Sequence, residues 1–446
     1  MADSSTAAVL QGKVGPASAG RRLDILLTGW PGFHLAWIIF GALLATAVGA
    51  LGHEAIKNLL LALLTVVTGL RALLLASVRP LSKAAALIVC NVPFLVALSI
   101  LVSGRVSGNH LYPVFLVAFI VTMELDKPIR MRTLLRLTNA YFFVYLGMSL
   151  LVYFGVVDLN RELNVFDATR RAPLLDFKTL VGFYGSTAHI DAISLFIALL
   201  NLLWGRGRRR YLMIAIAVAA GLASVRFTPF VALGVALLAT GMIMGVRRAR
   251  PARRSLAIAI GLAIVLSVPL SMAAVEVVPS QTFERAVNMA TNGRLLIWQT
   301  MAGVFAGAPV LSQAFGTGST EPYYLVGGWP RVHPTTKEVS PLWTANPHNS
   351  YLSLALTLGL AAVVVLMFSL AVLLARMRTW RALLVTFYVL TVGTTNAELL
   401  TFYFPIYVAW LLWMSRVPPP SNMRAALSGN QDTLRPILRD GCPCAS

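Results

Sequence analysis

Twelve apolar runs are spaced along the chain. They lie at about 34–52, 58–78, 84–102, 111–123, 138–157, 187–204, 211–225, 228–246, 255–274, 350–373, 382–396 and 399–415. A helix of roughly 20 apolar residues is what crosses a bilayer core. The runs at 111–123 and 382–396 are short for a span, so the pattern predicts about twelve transmembrane helices. Pro113 and Pro405 fall inside runs, where neighbouring helices can satisfy the carbonyls they free.

Composition sharpens this picture. Of 446 residues, 57% are hydrophobic and 12% charged, with a mean hydropathy of +0.75. Soluble domains carry about 25% charged residues. The bilayer is therefore the expected solvent, and the expected class is an all-α integral membrane protein. The net charge of +20 does not indicate nucleic-acid binding, because the basic residues gather in short clusters between apolar runs.

Those clusters set the orientation. With the N-terminus in the cytoplasm, the inner segments hold 25 of the 37 lysines and arginines. They include Lys127, Arg130, Arg132 and Arg136, then Arg206, Arg208, Arg209 and Arg210, then Arg247, Arg248, Arg250, Arg253 and Arg254. Every short cluster falls on one side, as the positive-inside rule requires of an even span count with both termini cytoplasmic. The cluster at 205–210 reads as a topology signal, not as a transporter loop.

The expected organisation is a cytoplasmic tail (1–33), nine helices over 34–274 with an outer loop near 158–186, a large outer loop (275–349), three helices over 350–415 and a cytoplasmic tail (416–446). The large loop is partly helical, with Gln281–Ala290 and Arg294–Val304 reading as helices before a stretch rich in Gly, Pro, Ser and Thr. A loop of that length in a compact membrane protein is usually functional. No apolar stretch occupies the first twenty residues, so no cleaved signal peptide is expected. Cys90 lies in an apolar run and reads as a packing residue, and Cys442 and Cys444 as part of a flexible tail.

Three elements carry candidate chemistry. In Asn346-Pro347-His348-Asn349-Ser350, His348 ends the large loop and opens a span. A neutral imidazole there can take a proton from a hydroxyl, or be an interfacial histidine without chemistry. Arg226, in Ser224-Val225-Arg226-Phe227, lies at the outer edge of a span, where arginine is costly unless it snorkels or pairs. Arg294, in Gly293-Arg294-Leu295-Leu296-Ile297-Trp298, opens a helix, where a cation opposes the macrodipole. Phe315-Gly316-Thr317-Gly318 follows it. Arg71 lies near an inner face with no motif around it and reads as structural.

Together these elements resemble the O-antigen ligase and O-antigen polymerase superfamily of bacterial inner-membrane glycosyltransferases. The motifs span roughly 182–230 and 290–360: His348-Asn349 followed by Leu352 and Gly359, the Gly-Arg-x-x-x-Trp element with its Gly-x-Gly, and Gly182-Phe183-Tyr184-Gly185. This chain departs from the family in having Ser-Val-Arg-Phe around Arg226 and His189 where the family tends to have Asn.

The resemblance implies a GT-C-like fold, with the large loop in the periplasm and the chain in the cell inner membrane. It implies an O-antigen ligase, moving a glycan from undecaprenyl diphosphate to a sugar hydroxyl of lipid A–core in lipopolysaccharide biosynthesis. His348 is then the general base, with Arg226 and Arg294 as diphosphate clamps. Arg170, Arg171, His189, Asn349 and Trp298 are the implied substrate-binding residues. The outer acids, including Asp158, Glu162, Asp167 and Asp176, form no Asp-x-Asp pair. A metal-independent enzyme without a cofactor is expected, its arginine forks gripping phosphate oxygens in place of a cation.

Two alternatives stay open. A polymerase would use the same donor with a second lipid-linked glycan as acceptor. A lipid-linked sugar transporter would need a polar path, but the charges inside spans, chiefly Arg71, Asp191 and Glu398, form no evident relay.

Overall fold

The fold is given by a computed structural model. It describes residues 31–104, 106, 108–126, 129–157, 180, 187–224, 228–246, 250–278, 282, 294–318, 329–332, 339–342, 349–395 and 404–416. Every apolar run becomes a helix. In chain order these are α1 (Pro31–Ala50), α2 (Glu54–Val78), α3 (Lys83–Ser103), α4 (Gly108–Leu125), α5 (Met131–Tyr153), α6 (Thr187–Trp204), α7 (Arg208–Ala223) and α8 (Thr228–Gly245). The ninth run divides into α9 (Arg250–Val265) and α10 (Ser267–Val277), bent by 61°. Two shorter helices follow, α11 (Arg294–Ala306) and α12 (Val310–Phe315). The last three runs become α13 (Ser350–Arg376), α14 (Trp380–Thr395) and α15 (Phe404–Arg416).

Among the described residues, five helices are long and apolar enough to cross a membrane, or six if the bent pair is one span. The architecture departs from all-α at one point. Strands β1 (Trp329–Val332) and β2 (Val339–Leu342) form an antiparallel hairpin, with Val332 opposite Val339. A four-residue ladder in a Gly- and Pro-rich stretch is too short to show as an alternating pattern. The expected helix Arg294–Val304 is α11, whereas Gln281–Ala290 falls outside the described residues.

The exposed surface has the polarity of a membrane protein. On α2, Leu59, Leu63, Val66, Leu70 and Leu73 are exposed and recur at helical spacing, whereas Leu61, Leu64, Thr68 and Leu75 face inward. The stripe turned to the surroundings is the more apolar one, as lipid requires. Cys90 corrects the sequence reading, because it is exposed on α3. In a bilayer an apolar run gives no sign of which of its faces is packed.

Polar side chains tie the helices together where they are buried. Arg71 on α2 donates from Nη2 to Asp126 Oδ2 at 2.8 Å, which bears out its structural reading. Asn139 on α5 and Asn201 on α6 exchange amide hydrogen bonds of 3.2 and 2.9 Å. Trp410 Nε1 donates to Thr138 Oγ1, and Trp413 Nε1 to the Ile129 carbonyl, both at 2.9 Å. Each of these bonds crosses between elements far apart in sequence, so they set register between helices that apolar packing leaves free to slide.

The same bonds identify two ends of the bundle. Arg381 Nη1 reaches the Leu203 carbonyl at 3.1 Å, Arg79 reaches the Leu125 carbonyl, and Trp413 reaches Ile129. These contacts collect the α2–α3, α4–α5, α6–α7 and α13–α14 junctions and the end of α15 at one end. Arg79, Arg130, Arg132, Arg206, Arg208, Arg209, Arg210, Arg376, Arg378, Arg381 and Arg416 lie at those junctions. The opposite end holds the α3–α4 and α7–α8 junctions and the start of α13.

Candidate functional site

The start of α13 is the best-fixed point at that second end. Asn349 precedes the helix in an extended conformation, φ −148° and ψ 119°. Its Oδ1 accepts from the Leu352 amide at 2.7 Å, an N-cap that satisfies one of the helix's orphan donors. Its Nδ2 donates to the Thr394 carbonyl at 2.8 Å, near the end of α14. One turn below, Tyr351 Oη donates to the Leu390 carbonyl at 2.9 Å. Asn349 is fully buried. Both ends of its amide are engaged within the protein, so it clamps α13 to α14 at the residue that follows His348 in sequence.

Helix α11 lies on the first turns of α13. Its Ile297, Met301, Val304 and Phe305 cluster with Leu352 and Leu356. These α11 positions recur at i, i+4, i+7 and i+8, one face of a helix. Arg294 opens this helix, three residues before Ile297. Trp298, four residues after Arg294, is buried. The sequence therefore places an arginine at the tip of a helix whose apolar face is anchored to the segment following His348-Asn349.

Farther along, α13 is broken. Gly359 has φ 80° and ψ 177°, a region open to glycine alone. The break lies ten residues, or ~15 Å, from Asn349 along the helix. Gly316, the residue that ends α12, has almost the same conformation, φ 77° and ψ 178°. The two glycines interlock. A Cβ on Gly316 would run into the Thr357 carbonyl, and a Cβ on Gly359 would run into the Ala314 carbonyl.

The break frees carbonyls that an intact helix would bond internally. The Leu356 carbonyl accepts from the Thr317 amide and from Thr317 Oγ1, both at 3.2 Å. The Thr357 carbonyl accepts from the Gly318 amide at 2.9 Å and from Ser99 Oγ on α3 at 3.0 Å. His110 Nε2, at the start of α4, lies 3.2 Å from Ser99 Oγ. The Ser99 proton goes to Thr357, so the imidazole is the donor in that second bond. Gly318 has φ 71°, and a Cβ there would meet the His110 ring.

The structure thus brings together two segments singled out from sequence, Phe315–Gly318 and Asn349–Gly359. Arg294 and His189 are placed on helices, α11 and the first turn of α6. Asp191, two residues after His189, is buried and its Oδ1 accepts from the Ala192 amide at 2.6 Å. His348, Arg226, Arg170 and Arg171 lie outside the described residues. The described neighbours of Arg226, Ser224 and Thr228, stand at the same end as Asn349. There α7 ends beside Leu180, whose amide donates to the Ala223 carbonyl at 2.9 Å.

Sequence reasoning missed Ser99 and His110. A histidine in a Gly-Asn-His turn signal is unremarkable by itself, and only its burial at 3% exposure beside a helix break sets it apart. Among the described residues no three His, Cys, Asp or Glu side chains gather as a metal cluster.

Residues 212–367 match the family model described as O-antigen ligase. The match runs from α7 to the second half of α13, and so contains Arg226, Arg294, Trp298, Gly316, His348, Asn349 and Gly359. It leaves outside Arg170, Arg171, His189, Ser99 and His110. No curated protein matches the chain.

Proposed function

With an O-antigen ligase family domain at 212–367 as the premise, we propose that this protein is a metal-independent membrane glycosyltransferase that joins a glycan from undecaprenyl diphosphate to a sugar hydroxyl of lipid A–core. The mainly helical body and its apolar helices fit a bilayer enzyme. By the positive-inside rule the arginine-rich end is cytoplasmic and the Asn349 end lies on the outer side; the family resemblance makes that outer side the periplasm of a bacterial inner membrane.

One observation carries the reading. The helix headed by Arg294 is packed on the first turns of the helix that His348 precedes, and Asn349 locks that junction with both ends of its amide. Transfer from a diphosphate-linked donor needs two things held at a fixed distance. One is a base for the acceptor hydroxyl, the other a cation for the departing diphosphate. In this reading His348 supplies the base and Arg294 the cation, and Arg226, two residues after Ser224 in sequence, supplies a second guanidinium. The planar forks take phosphate oxygens two at a time, which a metal would otherwise neutralise.

Asn349 acts through position, since its burial leaves it no face toward a glycan. Trp298 holds α11 in place from the same stripe. Arg170, Arg171 and His189 are assigned to donor or acceptor phosphates at the site's edge.

The test is reconstitution of the purified protein with a lipid-linked donor, with and without lipid A–core. Glycan transferred only in the presence of lipid A–core supports the ligase. Glycan lengthened on the lipid carrier without it makes the protein a polymerase. No covalent product under either condition would leave a transporter.

A further inference from the structure

We propose that Ser99 and His110 are positioning residues that close the break in α13, and that this closed joint sets where α11, the helix that Arg294 opens, stands along α13. The inference rests on the ligase reading for its consequence and on geometry for its existence.

The joint has three parts. The first is the pair Gly316 and Gly359, which lets two backbones meet where any side chain would hold them apart. The second is Thr317-Gly318, whose amides donate to Leu356 and Thr357. The third comes from elsewhere in the chain. Ser99 on α3 donates to Thr357, and His110 on α4 donates to Ser99 while its ring lies against Gly318. Helices α3 and α4 therefore pin both sides of the break at once. They hold the α13 carbonyl from one direction and the Gly318 Cα from the other.

α11 and α12 form one short stretch, from Arg294 to Phe315, tied to α13 at two places. One is the apolar patch of Met301 and Leu356, and the other is the joint. The patch is non-directional and allows sliding. The joint is directional, with hydrogen bonds of fixed geometry, and so sets where along α13 the Arg294 helix stops. Neither Ser99 nor His110 is placed at the reacting atoms, and neither lies within 212–367.

The test uses the full-length protein in lipid nanodiscs with Ser99→Ala, His110→Ala and His110→Gln, the last retaining a side-chain N–H donor. Two readouts are taken. Amide hydrogen exchange at Thr317 and Gly318 reports the joint without turnover. Exchange should quicken at least about ten-fold in His110→Ala and Ser99→Ala. Transfer kinetics report the consequence. kcat should fall by about 10- to 100-fold in His110→Ala with little change in KM for the lipid-linked donor, and His110→Gln should recover most of it. Unchanged exchange in His110→Ala overturns the joint. Faster exchange with unaltered kcat overturns its role in positioning. If the wild-type protein transfers no glycan, the ligase reading fails, and the joint stands or falls on the exchange result alone.

Discussion

Gly316 and Gly359 meet backbone to backbone in nearly the same conformation, each seated against a carbonyl two residues before the other. One ends α12 and the other interrupts α13, so the contact joins a short helix to a long apolar one at a point where neither can carry a Cβ.

Gly316→Ala and Gly359→Ala should therefore be among the most damaging small substitutions in the chain. Each adds a methyl group that collides with main chain and forces a residue into a left-handed conformation costing about 1–3 kcal/mol before the collision is counted. Folded yield, by size-exclusion chromatography in detergent, should collapse. Gly69→Ala is the control. It lies in α2 with ordinary helical dihedrals and open space around it, and should be tolerated.

Gly318→Ala offers a reciprocal test. The added Cβ strikes the His110 ring, so the single variant should lose activity. Removing the ring in Gly318→Ala/His110→Ala gives the methyl group room, and the double variant should fold better than Gly318→Ala. Additive loss in thermal stability would mean that the two residues are not in contact.

Asn349→Ala removes a cap and an interhelical bond together. Loss of a cap costs about 0.5–2 kcal/mol, and the stranded Thr394 carbonyl adds to it. Asn349→Asp keeps the acceptor for Leu352 and loses the donor to Thr394. Thermal unfolding should rank wild type above Asp and Asp above Ala, and transfer activity should follow the same order. An Ala variant as stable as wild type would remove Asn349 from the account.

Arg71 and Arg294 should separate structure from chemistry. Arg71→Ala leaves the buried Asp126 carboxylate without its guanidinium and should lower folded yield, with the surviving protein transferring glycan at a near-normal rate. Arg294→Ala should do the reverse, keeping the fold and losing about 10²–10³-fold in kcat, as expected for loss of one charge-stabilising donor. Equal behaviour of the two variants would contradict the assignment.

Much of the fold was legible because a bilayer imposes few solutions. Apolar runs must become helices, so each of the twelve runs is a helix in the structure, although the ninth divides in two and several helices begin or end some residues from the run. The same uniformity hid what an apolar run cannot encode. It does not say which face packs, and so Cys90 was misread. It does not mark a helix break either. Gly359 sits in the middle of an unbroken apolar run, and its role became visible only with Gly316 across from it. At the site, motifs drew attention to Asn349, Arg294 and the Gly-x-Gly segment because polar or glycine residues stand out in such a chain. Ser99 and His110 did not, because their meaning comes from a neighbour more than 200 residues away at Thr357.

The most direct measurement is transfer of glycan from an undecaprenyl-diphosphate donor to lipid A–core by purified wild-type protein and by His348→Ala, in the presence of EDTA. The account predicts full activity for the wild-type protein and loss by a factor of about 10² or more for His348→Ala, with both proteins equally folded. Transfer by His348→Ala at the wild-type rate, or wild-type activity that EDTA abolishes and Mg²⁺ restores, would contradict it.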